Sequence, residues 1–456
     1  MSSSQVKYMD SSGMDPYPDY KDSGIEWIGE IPEHWDVTKL KHMCNKYALY
    51  GANISADEYT GSGIRFLRTT DIDDYGNLHG EGVHVTKSAV SNYIVEDGDI
   101  LISRSGTIGR SFLYDSTKHP ICAYAGYLVR YKSNSSTYSK FIFYFTKSAP
   151  FIHWINQISL ESTIGNVNGQ KYANMEIPFV PLPEQQAIAT FLDRETSRID
   201  ALVEKKQQFI ELLEERRSAL ISHTVTKGLD PDVPMKDSGI EWIGEIPEHW
   251  DTIRIKHATY VKGRIGWHGL RSDEFIDEGP FLVTGTDFVN GIVNWNSCYH
   301  VSKDRYDQDP YIQLKENDLL ITKDGTIGKV ALVKGLKSEA TLNSGIFVTR
   351  PLSNNYITDF MYWILNSEVF TAFFEYMSNG TTIQHLYQNV FNEFAFPIPP
   401  LQEQQAIANY LDRETSQIDN LIEKTEQSIE YLKEYRTALI SSAVTGKIDV
   451  RGTVSD

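Results

Sequence analysis

Cysteine is scarce in this chain. Cys44, Cys122 and Cys298 stand far apart, form no C-x-x-C pair and leave an odd thiol over, so a disulfide scaffold and a paired-thiolate metal site are both excluded. They read as reduced and buried. Long apolar runs are missing too: no stretch of 18 apolar residues occurs, which excludes a membrane-spanning helix. Residues 1–10, MSSSQVKYMD, carry neither an apolar core nor a cleavage site, and the expectation is a cytoplasmic protein. Enzymatic motifs are absent as well. There is no H-E-x-x-H and no G-x-S-x-G. Gly325-Thr326-Ile327-Gly328-Lys329 imitates the end of a phosphate-binding loop, but Val330 follows the lysine where Ser or Thr is required. Asp15-Pro16-Tyr17-Pro18 comes near an adenine-methylation tetrapeptide and fails on the order of its prolines. No catalytic residue, metal site or cofactor is therefore expected in the chain itself. Positive charge is also short. With 43 Lys and Arg against 61 Asp and Glu the net charge is −18, which at face value argues against a nucleic-acid partner.

What is present is a duplication. Residues 21–36, KDSGIEWIGEIPEHWD, recur unchanged at 236–251, and residues 184–230 match 403–449 at 30 of 47 positions. With 456 residues and 41% hydrophobic residues, the chain has room for two or three globular domains. Two variable blocks, 37–180 and 252–399, lie between the shared pieces. They differ almost throughout but share one motif: GDILISRSGTIGR at 98–110 corresponds to NDLLITKDGTIGK at 317–329, at the offset of 219 that also relates the downstream repeats. Both blocks are thus expected to have one fold.

The segment 184–226 carries a helical apolar period through Leu192, Ile199, Leu202, Leu213 and Leu220, and its copy repeats it through Leu411, Ile418, Leu421, Leu432 and Leu439. Pro183, Gly228 and Pro231 mark the ends of the first stretch. About 40 residues at 1.5 Å each give a rod of roughly 60 Å. The two stripes are expected to pack on each other or on a partner, with Lys206 and Thr425 interrupting the seam. Within the first variable block Ile100–Ile102, Phe112–Tyr114, Tyr127–Tyr131 and Ile177–Val180 read as strands, and Phe141–Ile158 reads as one helix. Asp15-Pro16-Tyr17-Pro18 is matched by Asp230-Pro231-Asp232-Val233, so the N-terminal tail copies the mid-chain linker, permitting a near-cyclic, pseudo-two-fold arrangement. His34 and His249 sit in identical EHW contexts, and packing beside Trp35 and Trp250 is the plainer explanation for both.

The acidity sits in the shared parts. The first variable block has 14 basic against 12 acidic residues and the second 13 against 16, so affinity for nucleic acid would have to come from local clusters and from a partner's charge. The candidates are Arg65 and Arg68 beside a strand, Arg104 and Arg110 around the GTIG turn, and Lys323 and Lys329 at the equivalent places. A glycine turn flanked by cations can hold a phosphate, and Arg and Asn can read base edges; an ordinary hairpin with solvated cations is the competing account. A second candidate is the polar loop 162–171, with Asn166, Asn168 and Lys171, and its counterpart at 381–388, with Gln384, His385 and Tyr387. A plain surface loop would look the same.

GIEWIGEIPEHW at the head of each block, the GTIG turn, and PLPEQQAIA leading into a long closing helix together closely resemble the specificity subunits of type I restriction-modification systems. The resemblance covers residues 15–450. It implies an α+β protein with two mixed α/β target-recognition domains separated by two long antiparallel, coiled-coil-like helices. The boundaries are then 1–36 for the tail and shared segment, 37–180 for the first domain, 181–230 for the central helix, 231–251 for the linker and repeated segment, 252–399 for the second domain and 400–456 for the closing helix and tail. The family's subunit is not catalytic: it binds double-stranded DNA and two methyltransferase subunits that use S-adenosylmethionine, and two restriction subunits working with ATP and Mg can join. Each domain would read half of a split, asymmetric site, with the rods as a ruler setting the halves on the order of one DNA turn, about 34 Å, apart. The rival from another class is an adaptor that pairs two identical partners without reading DNA, or a decayed specificity copy.

Overall fold

The computed structural model describes residues 15–160, 166–264, 274–378 and 385–452, and its shared segments fold the same way twice. Each makes a short antiparallel ribbon, Tyr20–Asp22 with Glu30–Pro32 and Met235–Asp237 with Glu245–Pro247. The chain then enters a variable block on the strand Asp36–Lys39 or Asp251–Arg254. It leaves on Glu176–Phe179 or Ala395–Ile398, paired antiparallel with the entry strand. Both ends of each block are therefore side by side, the geometry of an insertion that can differ freely above a fixed base.

The chain divides into two compact units, Met1–Lys206 with Glu426–Asp456, and Gln207–Thr425. In the first unit a four-stranded antiparallel sheet runs in the order Cys44–Tyr50, Leu128–Ser133, Asp99–Ser103, Ser111–Leu113. Beside it in sequence space is a three-stranded mixed sheet of Val83–Val85, Ile64–Leu67 and Cys122–Tyr124. The second unit repeats the larger sheet as Thr259–Gly263, Ile346–Pro351, Leu319–Thr322 and Val330–Leu332, and extends it by Ile292–Val293 and Phe288–Val289. Its smaller sheet is Tyr299–His300, Ile276–Val283 and Ala340–Leu342. The run expected as one helix from Phe141 to Ile158 is two, Ser139–Phe145 and Ala149–Leu160. The break falls at Thr146, Lys147 and Ser148, where the Thr146 and Ser148 hydroxyls turn back to the Phe143 and Phe145 carbonyls at 2.6 and 2.7 Å. Pro150 then occupies the first turn of the second helix, where its missing N–H costs nothing.

The rods are the helices Leu182–Lys227 and Leu401–Val444, ended by Gly228 and Gly446 at φ +76° and +71°, the left-handed cap that glycine adopts without a Cβ penalty. A Cβ on Gly446 would also fall 2.4 Å from Pro32 Cδ. In the first unit Arg436 donates to both oxygens of Asp200 at 2.9 and 3.2 Å, and Arg451 lies 3.7 Å from Glu184. Ascending residues on one segment thus meet descending ones on the other, an antiparallel pairing. In the second unit Arg217 pairs with Asp419 at 2.9 Å. Leu192, Ile199 and Leu439 are buried in the core of the first unit, and Leu213, Leu411 and Ile418 are buried in the second; Leu432 and Leu220 are partly buried. Leu202 and Leu421 depart from expectation, standing 48% and 46% exposed. At about 100° per residue, Leu202 sits some 80° round from Leu192, so the seam follows Ile199 and Val203 and leaves Leu202 outside it.

The tail meets the other end of the chain within the first unit. Asp449 N–H donates to the Asp15 carbonyl at 2.9 Å, Tyr20 OH donates to the Gly446 carbonyl at 2.9 Å, and the Arg451 guanidinium lies over the Tyr17 ring at 4.8 Å.

Candidate nucleic-acid interface

The shared sequence explains itself as a clasp made twice. Trp35 and Trp250 are fully buried. Each indole N–H donates at 2.8 Å to a carboxylate in the first turn of a rod, Glu184 and Glu403, whose other oxygen lies 2.8 Å from His34 or His249 Nε2. A carboxylate is also favoured there by the helix N-terminus. Both histidines are exposed and sit edge-on to the tryptophans, with ring centroids 6.4 and 6.3 Å apart. The next residue does the opposite job. Gln185 is buried, accepts from Tyr138 N–H at 2.7 Å and donates to the Val180 carbonyl at 2.7 Å. Gln404 accepts from Ile357 N–H at 2.9 Å and donates to the Pro399 and Asn355 carbonyls at 2.8 and 2.9 Å. The Glu-Gln pair therefore fastens the shared segment and the variable block to the same helical turn. Its role went unread in the sequence, although a buried glutamine identical in both copies of an amphipathic helix is a usable signal.

On that frame the two candidate clusters converge. The strands Asp99–Ser103 and Leu319–Thr322 end in the same turn. Its glycines, Gly106 and Gly109 or Gly325 and Gly328, all have positive φ, and the Ser103 or Thr322 hydroxyl donates to the carbonyl of Thr107 or Thr326. Arg104 and Lys323 open the turn, and the polar loop comes to exactly that residue: Val167 N–H donates to the Arg104 carbonyl at 2.9 Å, and Leu386 N–H donates to the Lys323 carbonyl at 2.8 Å. The described part of the loop, 166–171 or 385–388, is thus joined to the turn in each unit.

The side chains there differ. In the first unit the Arg104 guanidinium lies 4.9 Å from the Tyr50 ring centroid, and its Nε–H points to Asn166 Oδ1 at 3.4 Å. Tyr50 OH accepts from Gly169 N–H at 2.9 Å, and a Cβ on Gly169 would fall 2.9 Å from the Ala48 Cβ, so this approach requires glycine. Tyr127, 62% exposed, offers its carbonyl to Arg104 N–H at 2.9 Å. In the second unit Lys323 Nζ lies 5.2 Å from the Phe347 ring, His385 pairs with Asp324, and the exposed Tyr387 packs on the His385 ring at 4.6 Å. Gln384 lies outside the described residues.

Other candidates are committed elsewhere. Arg68 makes a two-pronged pair with Asp71 at 2.7 and 3.1 Å, and the hydrogen bonds raise its pKa. Arg65 Nη2 donates to the His79 and Gly80 carbonyls at 3.4 and 3.0 Å. Arg110 donates to Asp74 at 2.7 Å and to the Ile72 carbonyl at 3.1 Å. Lys329 Nζ reaches the Gly285 carbonyl at 3.5 Å. Asn168 caps the helix Gly169–Ala173 by accepting from Lys171 N–H at 2.9 Å, and the Lys171 side chain is half-buried. Tyr50 and Tyr127 were missed, since only the folded sheet brings them to Arg104. Among the described residues no group of three His, Cys, Asp or Glu is placed to hold a metal, and no helix is long and apolar enough to cross a membrane.

A mixed α/β reader domain, built twice on a duplicated helical frame, is the class that this arrangement defines. The family model described as "Type I restriction modification DNA specificity domain" matches residues 32–212 and 249–431. The MjaVIII specificity subunit of a Methanocaldococcus jannaschii type I restriction enzyme is 24% identical over 433 residues, covering 92% of this chain and 94% of that protein. A chain from a structural study of complex assembly and conformational transition of the type I R-M system superposes with a TM-score of 0.71 at 16% identity, covering 92% of this chain and 99% of that one. The HsdS subunit from Thermoanaerobacter tengcongensis gives 0.52 at 16% identity, covering 92% and 98%; at such identities the likeness is one of fold. The chain belongs to the type I restriction-modification DNA specificity family. It carries two of the family's target-recognition domains and is a specificity subunit, so the adaptor account is not favoured.

Proposed function

We propose that this specificity subunit reads a split, asymmetric duplex site, one half per unit, and carries two methyltransferase subunits on its rods. The observation that supports this reading best is the repeated surface at Arg104 and Lys323: one backbone geometry, fixed by the same hydrogen bond, presents different side chains. Direct readout depends on side chains meeting base edges, whereas register depends on the frame. Matched apolar residues on the rods, Leu202 with Leu421 and Leu212 with Tyr431, are 46% to 69% exposed and offer equivalent docking positions to two copies of one partner. A net charge of −18 leaves the non-specific phosphate attraction to those partners. In this reading the chain makes and breaks no bond. S-adenosylmethionine belongs to the methyltransferases, ATP and Mg belong to a pair of restriction subunits, and the complex works in the cytoplasm.

Base-resolution mapping of methylated adenine, with and without the gene, tests this. Loss of one split, asymmetric motif on deletion is expected; an unchanged methylome beside an active methyltransferase overturns the reading. Replacing residues 37–180 by the block of another family member is expected to change one half of the motif and leave the other, because each block's ends close on one strand pair.

A further inference from the structure

We propose that Arg104 reads a guanine in the half-site taken by the first unit, an inference that rests on the reading above. The first variable block holds five arginines: Arg65, Arg68, Arg104, Arg110 and Arg130. Four have terminal nitrogens tied to carboxylates or carbonyls. Arg65 donates to the His79 and Gly80 carbonyls, Arg68 to Asp71 and Arg110 to Asp74 and Ile72. Arg130, nearly buried, meets Asp99 and Glu96 at 2.7 and 3.2 Å and donates to the Ile94 carbonyl at 3.1 Å. Arg104 differs. Its Nε–H is directed at Asn166 and its Cζ lies over the Tyr50 ring at 4.9 Å, while neither Nη makes a hydrogen bond to the described residues.

A guanidinium has two donor edges, one formed by Nε and one Nη, the other by both Nη groups. Asn166 takes the first, so the end-on pair of N–H donors remains. Tyr50 lies against the guanidinium on one side, and the Tyr127 and Val167 backbone bonds fix the residue at the strand end. Two parallel donors match two neighbouring acceptors. In the major groove guanine shows O6 and N7 together, whereas adenine pairs one acceptor with a donor and thymine pairs one acceptor with a methyl group. The second unit offers no such fork at this place, because Lys323 is a single ammonium on a flexible stem. A phosphate contact would serve both halves alike and gives no reason for the exchange of Arg for Lys at one fixed position.

The test uses the full chain in complex with its methyltransferase subunits, on the motif found by methylome mapping, with the first unit's half identified by the block exchange. Competition binding against duplexes carrying each base at each position is expected to show one G·C pair in that half whose replacement costs roughly ten- to hundredfold. Arg104→Ala, and Arg104→Met, which keeps a stem against Tyr50, should abolish that preference and leave the other positions unchanged. A base-side measurement does not depend on either variant folding: 7-deazaguanine at that position, which lacks the N7 acceptor, should weaken the wild-type complex roughly tenfold. A half-site without guanine overturns the proposal, as does indifference to 7-deazaguanine. Uniform weakening across all sequences with a shallower salt dependence makes Arg104 a phosphate contact and also overturns it. A methylome with no split motif defeats the wider reading instead, so the two failures are distinguishable.

Discussion

Lys147 and Asn366 occupy the same place in the two units, 219 residues apart like the rest of the later repeat, yet their surroundings are opposite. Asn366 is exposed and donates to the Tyr362 carbonyl at 2.8 Å. Lys147 is buried at the wall of a cavity of about 440 Å³ and donates to the Asp74 and Ser111 carbonyls at 3.1 and 3.0 Å. The Trp-His-Glu and Gln bonds, by contrast, recur in both units, although Glu184 also accepts from Tyr17 OH at 3.3 Å and lies 3.7 Å from Arg451. The lesson is where divergence is tolerated: the residues fastening the variable blocks to the rods are constrained by buried hydrogen bonds, and the residues carried above that base are free to change.

Matched truncation of the clasps probes this likeness hardest. Trp35→Ala and Trp250→Ala should each cost about 3–5 kcal/mol, read as loss of hydrogen-exchange protection in the corresponding unit; costs that differ by more than about 1 kcal/mol would break the claim of one frame built twice. Lys147 comes next. Burial pushes its amine down to about 7, against about 10.4 in an unfolded chain, with Asp73 and Asp74 opposing the shift and Arg436 and Arg110 adding to it. Between those values the unfolded chain holds a proton that the folded one lacks, so stability rises with pH, by up to about 1.4 kcal/mol per pH unit. Denaturant melts of the wild type against Lys147→Met from pH 7 to 9 should show that slope lost in the variant, while Asn366→Met changes no slope.

Gln185→Ala and Gln404→Ala leave buried backbone groups unpaired and should each cost about 1–3 kcal/mol, again equally, as measured by thermal unfolding. The smallest effect is expected at Lys323→Ala. Loss of a single ammonium meeting one acceptor should cost no more than about tenfold, at one position of the second half-site, read by the same competition binding. Even weakening over all sequences with a lower salt slope would mean that the second unit holds phosphate where the first reads a base.

Much of the frame was legible because duplication supplied its own control. Exact repetition of residues 21–36 at 236–251 marked the shared segments, and Gly228 and Pro231 marked a rod's end. The apolar period named most of the buried seam, but it took in Leu202 and Leu421 because spacing by sevens and threes looks alike until the partner's position picks one face. The run from Phe141 to Ile158 read as one helix because its composition is apolar throughout; two hydroxyls bonding to their own backbone break it, and such local competition leaves little trace in periodicity.

The candidate site shows the same division. Glycine turns, flanking cations and a polar loop are visible in the order of residues, since each depends on local backbone chemistry. Which cation remains available is not. Arg65, Arg68, Arg104 and Arg110 are equivalent as letters, and the nearby carboxylates and carbonyls that occupy three of them come together only when the strands pair. Tyr50 reaches Arg104 across the sheet from more than fifty residues away. Sequence determined the repeat, the rods and the variable positions, because these follow from identity and periodicity along the chain. Tertiary structure decided which of those positions keep a free hydrogen-bonding edge, because that depends on neighbours distant in sequence.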